Sequence, residues 1–241
     1  SEAVDVTLPP VKARLGTMST SVVATHVPGL LETFGALEYL EAYPHGCLEQ
    51  KMSQLSPQMG LARISSRLGG FIYSEGIKSH VERLLSEMPL YLDDRGLFGF
   101  WPGSGGDVQL TATALEFMAL AEELKVKVDP ALKQKAAESL KQSLRSDYAW
   151  SGAYTAWRTT LQATALRSLV RIGDVDEHYL VDLMRTRKGL DAGARPELAL
   201  AMLGKASSFG SDLTTLKGEL WSSITFNQVE GKRVVPGLND P

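Results

Sequence analysis

The sequence predicts an all-α protein built from stacked helix pairs, with extended N- and C-terminal segments. Apolar residues recur at helical spacing along most of the chain, between glycine, proline and capping residues that mark helix ends. Few stretches show the alternation that is typical of a strand. Residues 161–166 (LQATAL) also echo residues 110–115 (LTATAL) about fifty positions earlier. Two helices per repeat give an α/α stack, open or closed.

Proline, glycine and capping residues bound nine or ten predicted helices. Asp107 and Asp129 are N-cap candidates, and Pro130 takes the first helical position after Asp129. Asp174 and Glu177 have the spacing of a capping box. The clearest helices are predicted over residues 30–43, 47–68, 75–88, 108–124, 130–144, 159–172, 175–188, 196–205 and 212–223.

Three segments follow from this pattern. We expect residues 1–20 to be an extended lead-in from a neighbouring domain, residues 21–224 to be the helical domain, and residues 225–241 to be an irregular tail. The chain opens on Ser1 with neither an initiator methionine nor a signal peptide. We therefore expect a piece of a longer protein, with its targeting information elsewhere.

The composition describes an ordinary globular chain. Of 241 residues, 44% are hydrophobic and 22% are charged, which suits one domain with a real core. The net charge of −3, without a basic run, does not favour nucleic acid or an anionic membrane surface as a partner. A single cysteine excludes an internal disulfide framework, and no apolar run is long enough to span a bilayer.

That single cysteine, Cys47, follows a proline and a glycine and precedes an apolar helical pattern. It is therefore expected in the first turn of a helix, with Gln50 on the same face one turn further on. If the thiol attacks the carboxamide carbon and ammonia leaves, an internal thioester forms, which is a good acyl donor. The ordinary alternative is a lone buried cysteine that acts as a small apolar residue. The flanking Glu49 and Gln50 favour the thioester.

The octapeptide Tyr43–Gln50 (YPHGCLEQ) resembles the thioester motif of the α2-macroglobulin and complement family, Gly-Cys-x-Glu-Gln. Its lead-in and its leucine are similar to the bacterial branch of that family. The resemblance implies that Cys47 supplies the sulfur and Gln50 the acyl carbon. It also implies an α/α toroid of six helix pairs, for which this chain is a little short.

The function that this resemblance implies is covalent protease inhibition rather than enzymatic turnover. After a protease cleaves a bait segment elsewhere in the parent protein, the thioester of the domain captures lysine amines of that protease. The implied partners are target proteases and neighbouring domains of the parent chain, without nucleic acid, direct membrane contact, cofactor or metal. The implied location is the periplasm, where parents of this kind are often lipid-anchored.

Residues around the motif have candidate supporting roles. Gly46 allows a tight turn, whereas Glu49 belongs to the motif and has either a specific role or only a favourable place at the helix N-terminus. Tyr43, Phe98, Phe100 and Trp101 are candidates for an aromatic shield against water, although such residues are ordinarily core and can be both.

The histidines bear on the mechanism. The chain has four, namely His26, His45, His80 and His178, and none lies in the aromatic stretch 150–160. In the complement branch, a downstream histidine first takes the acyl group, so its absence here predicts direct attack by amines. His45 as a local base remains an alternative.

Two alternatives come from other classes of protein. A cysteine enzyme would need a histidine base beside Cys47, which the spacing of the four histidines does not suggest. A helical-toroid module with a structural cysteine could instead bind a peptide or a small ligand. Other polar clusters predict no site: the glycine-rich run 103–106 lacks the lysine of a phosphate loop, and Asp93-Asp94 and Glu122-Glu123 are expected to be solvated surface.

Overall fold

The computed structural model describes residues 46–65, 75–150, 157–229 and 233–238, all within the compact unit Tyr43–Pro241. The predictions for the lead-in, for the helix before Pro44, and for Tyr43, His26 and His45 lie outside the described residues.

The described residues form eight α-helices and two short 3₁₀ turns, which confirms the predicted all-α class. The helices are α1 (Leu48–Ser65), α2 (Glu75–Glu87), α3 (Val108–Glu123), α4 (Pro130–Ser143), α5 (Arg158–Arg171), α6 (Glu177–Arg185), α7 (Ala194–Leu203) and α8 (Ala206–Ser223). The 3₁₀ turns are Met88–Tyr91 and Arg187–Gly189.

Aspartate side chains cap three of the described helices. Asp107 accepts a hydrogen bond from the Leu110 amide at 2.7 Å, and Asp129 accepts one from the Ala131 amide at 2.9 Å, as predicted. The predicted capping box at Asp174 is wrong, because the Asp174 amide still donates to the Leu169 carbonyl in the turn that closes α5. Asp176 caps α6 instead.

The last helix begins earlier than predicted. α8 starts at Ala206 rather than at Asp212, and it passes through a non-helical residue, Phe209, at φ −119° and ψ 24°. Residues 206–211 therefore form a short helical turn that continues into the predicted helix across a kink.

The helices pack as four consecutive pairs. α1, α3, α5 and α7 form a row in which each helix contacts the next, and α2, α4, α6 and α8 each pack against the member of the row before them. The echoed residues of α3 and α5 include four fully buried alanines, whose small side chains allow these helices to approach closely. They are Ala112, Ala114, Ala163 and Ala165. Closure of the row into a six-pair toroid stays a prediction from the resemblance.

A β-hairpin follows α8. The strands β1 (Ile224–Val229) and β2 (Arg233–Leu238) pair antiparallel, with Ile224 opposite Leu238 and Val229 opposite Arg233. Part of the predicted tail, residues 225–241, therefore forms paired strands, as an extended C-terminal segment can. Isoleucine, threonine, phenylalanine and valine in β1 favour a pleated strand.

Candidate functional site

Cys47 lies at the N-terminus of α1, within a residue of the predicted helix start. Its carbonyl accepts the hydrogen bond of the Lys51 amide at 3.0 Å, so it is the N-cap residue of the helix. Leu48 and Met52 are fully buried and anchor this turn in the core. The Cys47 side chain is buried too, with 7% of the residue exposed. The thiol thus occupies a protected position at the positive end of a helix dipole.

The Gln50 side chain folds back onto the same turn. Its Oε1 accepts a hydrogen bond from the Cys47 amide at 3.4 Å. This is the reciprocal contact of a capping box, in which the side chain at the third helical position satisfies the amide of the N-cap residue. The Gln50 carboxamide is therefore held beside Cys47. The Cys47 amide, which donates to Oε1, can stabilise negative charge that develops on this oxygen.

A loop of residues 92–106, which we call the capping loop, closes this end of α1. The Phe100 carbonyl accepts a hydrogen bond from the Leu48 amide at 3.0 Å. Leu48 is the first helical residue, and its amide has no partner within the helix. The capping loop therefore supplies a bond that Cys47 and Gln50 do not, at the residue next to the thiol.

Asp93 organises the capping loop, contrary to the prediction of solvated surface for the pair Asp93-Asp94. Only 8% of the Asp93 side chain is exposed, whereas Asp94 is exposed. Burial by itself raises the pKa of Asp93, but hydrogen bonds from the Leu97 amide, Arg95 and the Gly106 amide outweigh burial and hold that pKa below its usual value. A carboxylate that accepts several backbone amides is structural, and the acidic dipeptide alone does not reveal which residue turns inward.

The predicted aromatic shield divides into two parts. Phe98 is fully buried in the core, whereas 41% of Phe100 and 54% of Trp101 are exposed. The capping loop thus reaches α1 through the Phe100 backbone, while much of the surface of these two rings is open to solvent. Shielding of the thiol by the three residues stays a prediction, and Tyr43 lies outside the described part of the chain.

Lys51 forms a contact that sequence reasoning missed. Its Nζ donates to Glu87 Oε2 at 2.7 Å and to the Tyr91 hydroxyl at 3.1 Å, and it lies 5.6 Å from the centre of the Tyr91 ring. The hydrogen bond to Glu87 raises the pKa of Lys51. A lysine in the first turns of a helix is unfavourable because its charge opposes the helix dipole. The position of Lys51 was therefore the sequence feature that could have indicated a nearby anion.

The two remaining motif residues have modest surroundings. Glu49 is exposed and accepts a hydrogen bond from the Ser53 hydroxyl at 2.9 Å. A side chain added at Gly46 would meet only Lys51 Cε, at 4.0 Å. The bond from Ser53 gives Glu49 no chemical role beyond its place near the helix N-terminus.

No histidine in the described residues stands beside the thiol as a partner. His80 is exposed on α2, and His178 on α6 contacts Asp182 at 3.1 Å with two thirds of its side chain exposed. Within the described part of the chain, no cluster of histidine, cysteine, aspartate and glutamate could hold a metal ion. Among the described helices, none has the length and apolar character needed to cross a membrane.

Glu122 and Glu123 are also paired rather than simply solvated. Glu122 contacts Lys133 at 2.6 Å, and Glu123 contacts Arg63 and Arg171 at 3.1 Å each. These pairs connect α3 with α1, α4 and α5 at the surface, and they support packing rather than a ligand site.

An open cleft of about 1220 Å³ lies between the C-terminal end of α4 and the helices α5 and α6. Its apolar lining includes Leu144, Leu166, Leu169 and Tyr179, and charged residues surround them. This cleft is the feature that suits the alternative of a peptide- or ligand-binding module.

Comparison with known proteins gives a match in fold. No protein-family model and no curated protein sequence matches this chain. The structure does match native alpha-2-macroglobulin from Escherichia coli, spanning domain MG7 to the C-terminus, with 22% identity, a TM-score of 0.65, and coverage of 76% of this chain and 30% of that one. It also matches Salmonella alpha-2-macroglobulin reacted with methylamine, with 23% identity, a TM-score of 0.67, and coverage of 83% and 13%.

A third solved structure, trypsin-activated alpha-2-macroglobulin from Escherichia coli, has 24% identity and a TM-score of 0.60, and the match covers 73% of this chain and 13% of that one. The chain therefore spans less than a third of the length of these structures. The predicted resemblance to bacterial alpha-2-macroglobulins is confirmed at the level of the fold.

Proposed function

Given the fold that it shares with part of bacterial alpha-2-macroglobulins, we propose that this chain is the thioester-bearing region of a protein of that family. The observation that carries the proposal is local. Gln50 Oε1 accepts a hydrogen bond from the amide of the buried Cys47 at the N-terminus of α1. In this arrangement a nucleophile and an acyl group share one protected turn.

Formation of the bond needs no external reagent. The Cys47 sulfur attacks the Gln50 Cδ, the C–N bond breaks, and the nitrogen leaves as ammonia with the thiol proton. Negative charge develops on Oε1 during the attack, where the Cys47 amide is already a hydrogen-bond donor.

Opening of the bond follows the same geometry. A neutral amine attacks Gln50 Cδ, the C–S bond breaks, and Cys47 leaves as a thiolate that takes up the proton released by the amine. The products are a substituted amide and a free thiol. Because His80 and His178 are exposed on other helices, the amine attacks directly, without an acyl-histidine intermediate.

The biological role follows from that chemistry. We place the domain in a periplasmic, broad-spectrum protease inhibitor in which cleavage of a bait segment exposes the thioester to lysine amines of the attacking protease. The reaction is a single acyl transfer rather than turnover. Trypsin-activated and elastase-activated alpha-2-macroglobulins of Escherichia coli are among the solved structures of this fold, which supports proteases as the partners.

Methylamine incorporation tests this proposal. We expect the wild-type chain to gain one methylamine and to release one thiol, because the acyl carbon accepts any small amine that reaches it. Cys47→Ala should incorporate none while keeping the helical far-UV circular dichroism spectrum of the wild type. Incorporation by folded Cys47→Ala would show that Cys47 is not the leaving group.

The ligand-binding alternative rests on the cleft beside α4 and α6. In that case Cys47 is structural, the chain has its full mass, and thiol reagents modify one cysteine once it is accessible. The same measurements therefore separate the two functions.

A further inference from the structure

We infer that Asp93 is a positioning residue for the Cys47–Gln50 pair and acts through the capping loop, an inference that rests on the function proposed above. Within the described residues, the side-chain hydrogen bonds of Asp93 go to Arg95, Leu97 and Gly106 rather than to the thiol or the carboxamide. Its effect is transmitted by backbone hydrogen bonds from the loop to the first residue of α1.

Both carboxylate oxygens of Asp93 are used within the loop. Oδ1 accepts hydrogen bonds from the Arg95 amide at 3.0 Å and from the Leu97 amide at 2.9 Å. Oδ2 accepts one from the Gly106 amide at 3.0 Å, and the Arg95 guanidinium donates to Oδ2 at 2.9 and 3.0 Å. Because Asp93 and Gly106 lie near opposite ends of the loop, the Asp93 side chain ties the two ends together and also holds Leu97 in its middle.

The loop is too tightly packed to rearrange freely around that carboxylate. A side chain at Gly106 would come within 2.3 Å of Leu97 Cβ and 2.8 Å of Asp93 Oδ2. The residue just after the loop is also joined to the middle of the loop, since the Asp107 amide donates to the Phe98 carbonyl at 2.9 Å. Such a loop presents one backbone conformation at its tip.

The tip of the capping loop contacts α1 directly beside Cys47. The Phe100 carbonyl accepts the Leu48 amide at 3.0 Å, and Leu48 directly follows Cys47. The neighbouring Gly99 amide donates to the Tyr91 carbonyl at 2.8 Å. The backbone around Phe100 is therefore bonded to Tyr91 on one side and to α1 on the other. When the loop loosens, the Leu48 amide turns to water, the turn frays, and solvent reaches the acyl carbon beside the buried sulfur.

Asp93→Asn tests this role against the matched control Asp94→Asn, because the adjacent Asp94 is exposed. Asparagine can keep the bonds to the Arg95 and Leu97 amides, but it places an NH₂ group where the Gly106 amide donates. We expect spontaneous thiol release at neutral pH, and methylamine uptake, to be roughly tenfold faster in Asp93→Asn than in wild type. Asp94→Asn should match the wild type.

The readout separates positioning from mere stability. All rates are measured at a temperature where circular dichroism shows each variant to be fully folded, so a lower melting temperature alone does not change them. A folded Asp93→Asn variant with full mass and a free thiol also supports the inference, since bond formation needs the same placement. Wild-type rates in folded Asp93→Asn overturn it.

A second variant covers the case in which Asp93→Asn does not fold. Ser104 supports the tip of the loop: its hydroxyl donates to the Trp101 carbonyl at 2.8 Å and accepts from the Trp101 amide at 3.1 Å, beside the bond from the Ser104 amide to the same carbonyl. Ser104→Ala should accelerate thiol release by about threefold. No acceleration in Ser104→Ala then overturns the inference. A wild-type chain that lacks the mass deficit of a thioester refutes the proposed function itself, whatever the variants do.

Discussion

At the scale of single residues, the site depends on which atoms share the first turn of α1. The spacing of Cys47 and Gln50 placed both on one helix face, and the structure adds the bond between Gln50 Oε1 and the Cys47 amide. That bond satisfies an amide that the helix leaves without a partner. It therefore gives the glutamine a reason to bend toward the thiol before any reaction takes place.

Gln50→Ala tests the role of this side chain. We expect the variant to contain one free thiol per chain that is titratable after unfolding, whereas intact wild type contains almost none, because alanine offers no acyl carbon. Gln109→Ala, on the exposed side of α3, is the matched control and should resemble the wild type. Equal thiol contents in Gln50→Ala and wild type would contradict the assignment of Gln50.

Asp93 shows what a sequence pattern leaves out at this scale. An acidic dipeptide is ordinarily solvated, and nothing in its two letters shows that one carboxylate turns inward. The signal that could have indicated Asp93 was the glycine-rich run that follows it, because such a loop leaves many amides in need of acceptors.

Acid should weaken the contribution of Asp93. Its pKa is held below the usual 3.8 in the folded state, so its ionised form stabilises the fold above that value. As the pH falls through the folded-state pKa, the carboxylate is protonated and the contribution is lost. We expect wild type and Asp93→Asn to differ in urea midpoint at pH 7 and to converge as the pH falls below the folded-state pKa of Asp93. A difference that persists unchanged into acid would contradict this.

At the scale of elements, capping and packing explain what was predictable. The starts of α3 and α4 follow from aspartates that accept the amides of the first turn. The start of α6 does not, because two aspartates compete and the first still belongs to the turn after α5. Contacts between helices, such as that of Lys51 with Glu87, join residues far apart in sequence and have no local signature.

Arg167 joins three helices of the row, and its removal should destabilise the domain. Its guanidinium contacts Glu116 on α3 at 2.8 Å and Glu197 on α7 at 2.9 Å, and each side chain is largely buried. The pKa of Glu197 is raised above its usual value, mainly because the carboxyl is buried. Arg167 opposes this shift, and the charge of Glu116 adds to it. Arg167→Met removes the positive charge between Glu116 and Glu197, so the two carboxylates repel each other without a shared partner.

We expect Arg167→Met to lower the free energy of unfolding by about 1–3 kcal/mol at neutral pH, less than for a fully buried pair because the group is partly solvated. Urea unfolding at neutral pH measures this. Arg185→Met, whose side chain is 73% exposed, is the control and should change stability little. Equal losses in the two variants would show that the link across α3, α5 and α7 contributes nothing special.

At the scale of the whole molecule, the repeat in the sequence predicted the row of helices. The echoed segments lie on α3 and α5, and their buried alanines allow the close contact between neighbours that an α/α stack requires. The C-terminal hairpin was predicted only as an extended tail, because strand pairing depends on register between two short segments. The fold then matches one region of far longer bacterial proteins.

The intact mass of the freshly purified wild-type chain, measured with its thiol content, tests the central claim most directly. The account predicts a mass lower by one ammonia than the sequence requires, no free thiol at Cys47, and the gain of one methylamine with the release of one thiol. A chain of full mass, with a free thiol from the start and no uptake of methylamine, would contradict it.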